Sequence, residues 1–173
     1  MKKYFILITI LLVGFHSISV FAKKKEDLKK ELIWVNDVNK AQEMSQKSKK
    51  PIFAMFTGSD WCGWCKKLHN DVFSKPEFIE WANKNVILLE LDFPRYKKLP
   101  EQLAQQNNEL QQAFQVRGYP TIWIFYLNKG EEGKKFSIAA LGSLGYPSGS
   151  EPGKEQFKFL DEANQILKNK TTK

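Results

Sequence analysis

Three uninterrupted apolar runs of strand length lie along the chain, at residues 51–56 (PIFAMF), 85–93 (NVILLELDF) and 121–127 (TIWIFYL). Strands that lack alternating polar positions are usually covered on both faces of a sheet. Two shorter candidates, 32–35 and 134–142, precede and follow these runs. The pattern therefore predicts a central sheet with other elements packed on both of its faces.

Segments with helical periodicity fill the gaps between the runs. We predict helices over 37–50, 74–84, 100–114 and 154–170. Ser74 with Glu77 three residues later has the pattern of a capping box, which predicts the start of the second helix. Strands that alternate with helices indicate an α/β fold.

The first 22 residues have the three-part pattern of a secretory signal peptide. Lys2 and Lys3 precede an apolar run at 4–13, and the small residue Ala22 precedes a cluster of lysines. We expect cleavage after Ala22. The alternative is an uncleaved membrane anchor, but polar residues at positions 16, 17 and 19 interrupt the apolar stretch, and its flanks fit a signal peptide better.

The charge and the length of the chain without its signal peptide indicate a single domain and no specialised basic site. Loss of Lys2 and Lys3 lowers the formal net charge from +8 to +6, and a basic tail at 23–30 (KKKEDLKK) carries much of what remains. The 151 residues left of 173 suit a single domain, which we place at 31–173 and expect to be a monomer. Since an exported chain meets little nucleic acid, we interpret the scattered lysines as solvated helix faces and expect no nucleic-acid partner.

Both cysteines of the chain lie in one stretch, GSDWCGWCKKLHNDVF, at residues 58–73. The preceding strand leaves room for a helix that begins near Ser59 or Asp60, either of which can cap it. On this helix one apolar stripe contains Trp61, Cys65, Leu68 and Val72. The stripe turns Cys65 inward and leaves Cys62 accessible in the first turn, where free N–H groups and the helix dipole lower the pKa of a thiol.

An accessible thiolate with a sheltered partner one turn away is the arrangement that thiol–disulfide exchange requires. Two alternatives stay open. A structural disulfide across so short a loop would restrict the unfolded chain little. A zinc site would need acidic ligands in addition to Cys62, Cys65 and His69, and His69 is otherwise a solvated helix residue. Covalent haem attachment is excluded, because it requires a histidine directly after Cys65, where the sequence has Lys66.

Two stretches resemble the thioredoxin superfamily. Residues 56–67 (FTGSDWCGWCKK) have its W-C-x-x-C-K pattern, and residues 116–125 (VRGYPTIWIF) have its cis-proline before a threonine. The end of the chain, AALGSLGY followed by FKFLDEANQIL, is similar to the family's last strand and helix, so the resemblance covers nearly all of 31–168. With the signal peptide, the chain looks most similar to exported, single-domain members that handle disulfides in the bacterial periplasm, including the DsbH-like type. The resemblance implies a thioredoxin fold, with a central mixed β-sheet and helices on both faces.

The resemblance also implies a role for each matching residue. Cys62 would be the attacking nucleophile, Cys65 the resolving thiol and Trp61 the aromatic wall beside them. Pro120, in cis, would lie against the disulfide and let the Tyr119 backbone pair with an extended substrate.

The sequence departs from the family in two places. The family has a buried aspartate in the strand before the active site, where this chain has Met55 or Phe56. Glu90 on the adjacent predicted strand is the candidate replacement as a proton relay, although a strand-end carboxylate that faces solvent is the simpler interpretation. The family's proline between the cysteines is replaced by Trp64, which either contacts substrate or covers the sulfurs. The extra length of the chain falls in 93–102 (FPRYKKLPEQ), a loop with no readable chemistry.

These patterns together predict an exported thiol–disulfide oxidoreductase that uses a CGWC pair, without a cofactor or a metal, to reduce or isomerise disulfides of periplasmic proteins. Gly63 and Trp64 supply no positive charge for a strongly stabilised thiolate, which favours a reductant over a strong oxidant. The expected partners are exported proteins with disulfides and a membrane-embedded thiol that supplies electrons. The alternatives are a non-catalytic binding or chaperone-like module of the same fold and a zinc-binding protein.

Overall fold

The computed structural model describes residues 31–130 and 136–169, so the predicted signal peptide and basic tail lie outside the described residues. In these ranges the strands are β1 (Trp34–Val35), β2 (Ile52–Thr57), β3 (Ile87–Asp92), β4 (Thr121–Lys129) and β5 (Phe136–Leu144). The helices are α1 (Val38–Ser48), α2 (Gly63–Leu68), α3 (Pro76–Asn85), α4 (Glu101–Ala113) and α5 (Glu155–Lys168). A π-helical segment, His69–Phe73, directly continues α2.

The strands form one mixed sheet in the order β1-β3-β2-β4-β5. The first three strands in this order are parallel, and β4 and β5 are antiparallel to their neighbours. Phe56 near the end of β2 pairs with Thr121 at the start of β4. The stretch that follows β2 and the stretch that precedes β4 therefore meet at one end of the sheet. The α/β sheet predicted from the apolar runs is confirmed.

Apolar side chains are buried on both faces of the sheet, as the uninterrupted runs predicted. One face packs against α2, α3 and α5, and the other packs against α1 and the end of α4. Phe53 of β2 is the centre of the first cluster, where its ring lies 5.8–6.2 Å from five other aromatic rings, those of Trp34, Phe73, Phe78, Trp81 and Phe159. The cysteine pair belongs to this same cluster.

The capping box predicted at the start of the second helix is wrong. Lys75 is the residue before that helix, α3, and Pro76 is its first residue. The hydroxyl of Ser74 instead donates a hydrogen bond to the carbonyl of Asn70, at 2.8 Å. The φ of proline is fixed at a value that suits the first residue of a helix, so α3 begins at Pro76. Ser74 could act as the N-cap only if the helix began one residue earlier, at Lys75.

Candidate active site

Cys62 and Cys65 are joined by a disulfide, with sulfurs 2.11 Å apart. Cys62 is the N-cap residue of α2, and its Sγ accepts a hydrogen bond from the backbone N–H of Cys65 at 3.1 Å. An N–H donor at the start of a helix stabilises negative charge on a sulfur. The sulfur of Cys62 therefore lies where a thiolate would be favoured.

The helix begins later than the sequence predicted, because neither Ser59 nor Asp60 caps it. The N–H and hydroxyl of Ser59 both donate to the carboxylate of Asp92, at 2.8 and 2.7 Å. The carboxylate of Asp60 accepts backbone N–H groups from the loop after β3. Because the side chains of Ser59 and Asp60 bind the end of β3 and the loop after it, Cys62 is the N-cap residue of α2.

The predicted difference in exposure between the two cysteines is absent from this disulfide form. Cys62 is 5% exposed and Cys65 is 3% exposed. The reason is that the side chain of Cys62 turns back over the first turn of α2, where it bonds to Cys65 and joins the apolar cluster of Met55 and Leu68. The inward orientation predicted for Cys65 is confirmed.

Trp61 forms a wall directly before the cysteine pair. Its indole Nε1 donates to the carbonyl of Phe93 at 2.8 Å, and its ring meets that of Tyr119 edge-on at 5.9 Å. A Cβ at Gly58 would lie 2.5 Å from the indole, so only glycine leaves room for this packing. The wall is therefore fixed by a hydrogen bond and by close contact with the chain before it.

The Tyr119–Pro120 peptide bond is cis. Pro120 directly precedes Thr121, which pairs with Phe56 six positions before Cys62. The ring of Tyr119 stacks on Phe93 at 5.2 Å, and its hydroxyl accepts a hydrogen bond from Gln111 at 2.7 Å. Burial raises the pKa of Tyr119, and the bond from Gln111 acts in the opposite direction. This phenol is therefore neutral and serves to hold the loop before Pro120.

Glu90 is half-buried on β3, and its role as a proton relay stays a prediction. It pairs across the parallel ladder with Met55. Burial raises the pKa of Glu90 above its ordinary value, the negative charge of Asp92 raises it further, and Lys97 opposes the rise. A carboxyl group with a raised pKa can bind and release a proton closer to neutral pH than an exposed one.

Trp64, between the cysteines, is 58% exposed. Its ring meets Tyr146, in the loop after β5, edge-on at 5.1 Å. The hydroxyl of Tyr146 donates to Asp71 at 2.7 Å, and Lys67 bonds to the same carboxylate oxygen at 2.6 Å. Trp64 thus packs against Tyr146, whose hydroxyl is held by Asp71, and more than half of its side chain remains exposed to solvent.

The sequence predicts no chemistry for the loop after β3, whereas the structure shows that this loop makes several polar contacts with the residues before Cys62. Asp92 binds Ser59 and also forms an ion pair with Lys97 at 2.9 Å, and Asp60 binds the backbone of the same loop. The guanidinium of Arg95 lies 3.7 Å from the centre of a Trp61 ring. The sequence does contain one signal of these contacts: Asp92 is an acidic residue at the end of a buried strand, where it needs polar partners.

Neither a metal site nor a membrane span is found in the part of the chain that the structure describes. No group of three or more His, Cys, Asp or Glu side chains is arranged there to hold a metal ion. His69 is exposed, as predicted for a solvated helix residue. None of the helices in the same ranges combines the length and the apolar character needed to cross a bilayer.

Sequence comparison finds a family profile and two relatives. The profile of the thioredoxin-like domain matches residues 38–137. A Chlamydia pneumoniae protein described as disulfide bond reductase DsbH is 34% identical over 108 residues, which are 62% of this chain and 64% of that protein. Thioredoxin-related protein DsbJ of Chlamydia pneumoniae is 26% identical over 137 residues, 79% of this chain and 37% of that protein. The chain therefore spans less than two thirds of the length of either relative.

Structural comparison agrees with the fold described above. A solved structure described as DsbH oxidoreductase superposes with a TM-score of 0.63 at 28% identity, over 80% of this chain and 85% of that chain. A thioredoxin from Thermus thermophilus superposes with a TM-score of 0.55 at 17% identity, over 79% of this chain and 87% of that chain. The second match shows the fold alone. The predicted thioredoxin fold is confirmed.

Proposed function

Since this chain belongs to the thioredoxin-like family, we propose that it is an exported thiol–disulfide oxidoreductase whose Cys62–Cys65 pair reduces disulfides in other exported proteins. One observation carries the proposal. The two sulfurs are already joined at the start of α2, and the N–H of Cys65 donates to the sulfur of Cys62. A structural disulfide would gain little from so short a loop, whereas a redox pair needs the two sulfurs within bonding reach.

The reaction begins from the dithiol form. The Cys62 thiolate attacks one sulfur of the substrate disulfide, so that a Cys62–substrate disulfide forms and the first substrate thiolate leaves. Cys65, once deprotonated, attacks the sulfur of Cys62, which restores the Cys62–Cys65 disulfide and releases the second substrate thiolate. The substrate gains two electrons and two protons, and the cysteine pair loses them.

Glu90 is the proposed proton relay for Cys65. Its carboxyl lies on the sheet face whose apolar cluster contains both sulfurs, and burial raises its pKa. Cys65 is enclosed, so its proton needs a nearby acceptor before the second attack. Trp61, Trp64, Tyr119 and Pro120 would form the surface against which the substrate chain lies, with the Tyr119 backbone as its pairing partner.

The proposed direction is reduction, with isomerisation as a weaker activity. The residues between the cysteines, Gly63 and Trp64, carry no charge to stabilise a thiolate strongly. The relative at 34% identity is described as a reductase. We expect a reduction potential closer to about −270 mV than to about −120 mV, measured by equilibration against glutathione buffers, and a value more oxidising than about −180 mV would contradict this direction.

After each reaction the Cys62–Cys65 disulfide must be reduced again, and in an oxidising compartment this requires an electron donor. We propose that the donor is a membrane-embedded thiol protein.

We also propose that residues 1–22 are removed during export, that the basic tail at 23–30 then begins the chain, and that the domain at 31–173 acts as a monomer. N-terminal sequencing of the exported protein should give Lys23 as the first residue. A protein that retains Met1 in the membrane would contradict cleavage.

The reduction of insulin by a small dithiol tests the function directly. The protein should accelerate precipitation of the insulin B chain, and the Cys62→Ser variant should not. Equal rates with and without the wild-type protein would favour the non-catalytic binding module instead. Stoichiometric zinc after purification under reducing conditions would favour the metal-binding alternative.

A further inference from the structure

The loop after β3 is fixed to the residue that precedes the active-site tryptophan. The Asp60 carboxylate accepts the backbone N–H groups of Arg95, Tyr96 and Lys97, at 3.0, 2.8 and 3.3 Å. The second anchor of this loop is the ion pair of Lys97 with Asp92. The loop therefore has a defined position beside Trp61, and we call residues 94–97 the latched loop.

The latched loop places one guanidinium group at the edge of the active site. Arg95 is exposed and lies 3.7 Å from the centre of a Trp61 ring, and Trp61 is next to Cys62 in the chain. A guanidinium that packs on an aromatic ring keeps its N–H donors in one plane at the edge of the ring. There they can form two parallel hydrogen bonds to a carboxylate. Arg95 thus presents its donors beside Trp61, the residue that directly precedes the proposed nucleophile Cys62.

Arg95 has no carboxylate partner within the described part of the chain. The nearby acidic groups are bound elsewhere: Asp60 to the backbone of the latched loop, and Asp92 to Ser59 and Lys97. Lys66 adds a second cation, since its Nζ donates to the carbonyl of Asp60 at 3.2 Å. Arg95 and Lys66 beside Trp61 therefore form no direct ion pair within the described residues, although the carboxylates of Asp60 and Asp92 lie nearby.

We propose that Arg95, held on Trp61 by the latched loop, determines substrate specificity by binding an acidic side chain next to the substrate's disulfide cysteine. The occupant is an extended segment of a substrate polypeptide with Asp or Glu beside its cysteine. This inference rests on the proposed function, and it names the substrate class of the same site. Arg95 takes no part in electron transfer, because its contact with the substrate is an ion pair only.

Two matched substrates test the proposal. Each is a symmetrical disulfide of a short amidated peptide, with glutamate on both sides of cysteine in one and glutamine in the other. The second-order rate constant for reduction by the dithiol form is followed by tryptophan fluorescence at low salt. The wild-type protein should prefer the glutamate peptide by about fivefold, the upper range for one solvent-exposed ion pair, and added salt should reduce the preference.

The variants separate a local contact from the general positive charge of the protein. Arg95→Gln should lower the ratio of the two rates to about one. Lys98→Gln removes one charge from an exposed position just beyond the latched loop and should leave the ratio unchanged. Asp60→Ala and Asp60→Asn both remove the negative charge of Asp60, but only the asparagine variant keeps an acceptor oxygen for the loop, so the ratio should be lower in Asp60→Ala than in Asp60→Asn.

Each outcome decides the proposal. A wild-type ratio near one, a ratio that survives Arg95→Gln, or an equal loss in Lys98→Gln would overturn it. The proposed function is checked separately with bis(2-hydroxyethyl) disulfide, a small neutral substrate without a peptide segment. Reduction of this substrate together with a peptide ratio of one would overturn the specificity proposal alone, whereas no exchange with any disulfide would overturn both.

Discussion

Met55 of β2 and Glu90 of β3 are direct partners in the parallel ladder between these strands. Paired residues of adjacent strands project from the same face of a sheet. Met55 packs in the apolar cluster that contains Cys62 and Cys65. A half-buried carboxyl group therefore lies on the face that carries the disulfide, one strand away from Met55.

Replacement of Glu90 by glutamine should stabilise the protein at neutral pH and not at low pH. The folded pKa of Glu90 lies above its ordinary value of 4.5, first because of burial. The folded state therefore binds the proton more tightly than the unfolded state, and the wild-type protein loses stability as pH rises from about 4.5 through the raised pKa. Urea unfolding at pH 4 and at pH 7.5 measures the difference. An equal effect of Glu90→Gln at both pH values would contradict a raised pKa.

The same variant should change the pH dependence of exchange. If Glu90 accepts the proton of Cys65, the wild-type rate of the second step, the attack of Cys65 on the mixed disulfide, depends on the ionisation of the Glu90 carboxyl group and on that of the cysteine thiol. The Glu90→Gln variant retains only the ionisation of the thiol. Single-turnover rates between pH 5 and pH 9 measure this dependence. Met55→Leu, which changes the partner residue without a titratable group, is the control and should keep both ionisations.

The two cysteines should differ in reactivity once reduced. Cys62 receives an N–H donor at the helix start and should alkylate about tenfold faster at pH 7 than Cys65. Cys65→Ser should accumulate mixed disulfides with substrate through Cys62, visible on non-reducing gels, and Cys62→Ser should give none. Equal alkylation rates for the two thiols would contradict these roles.

Alanine at Gly58 should destabilise the protein by about 1–3 kcal/mol, the range for an overpacked contact. Its Cβ would lie 2.5 Å from the indole of Trp61, which is held by its bond to Phe93 and cannot move freely. Gly118→Ala is the matched control, since a Cβ there meets nothing within 4 Å beyond its chain neighbours. Denaturant unfolding compares the two, and similar losses would contradict the steric explanation.

Truncation of Phe53 to alanine should lower the free energy of unfolding by about 3–5 kcal/mol. Phe53 is fully buried and its ring is surrounded by five others. Ile138→Ala on β5 is the control, because Ile138 is 39% exposed and should lose less than about 1 kcal/mol. A small loss for Phe53→Ala would show that the aromatic cluster closes around the gap.

The apolar runs predicted the strands well because burial on both faces leaves a signal in the residues of the strand itself. The run at 121–127 lies entirely within β4. The start of α2 could not be predicted this way, since Ser59 and Asp60 are suitable caps in isolation. Their side chains bind Asp92 and the loop after β3 instead, and these partners lie more than 30 positions away. Contacts of this kind, which also hold Arg95 on Trp61, depend on tertiary structure and leave no local pattern.

Cys62 and Cys65 are three positions apart, whereas Phe56 and Thr121, which bring the cysteine stretch to Pro120, are 65 positions apart. Closing the short loop needs only local chain motion, but pairing β2 with β4 requires the closure of a long one. A partly unfolded chain in which β4 has detached would still cycle between dithiol and disulfide. It would no longer have the surface formed by Trp61, Tyr119 and Pro120. On the proposed function, we expect the capacity to exchange electrons to reside in one short peptide and discrimination between partners to require the completed topology.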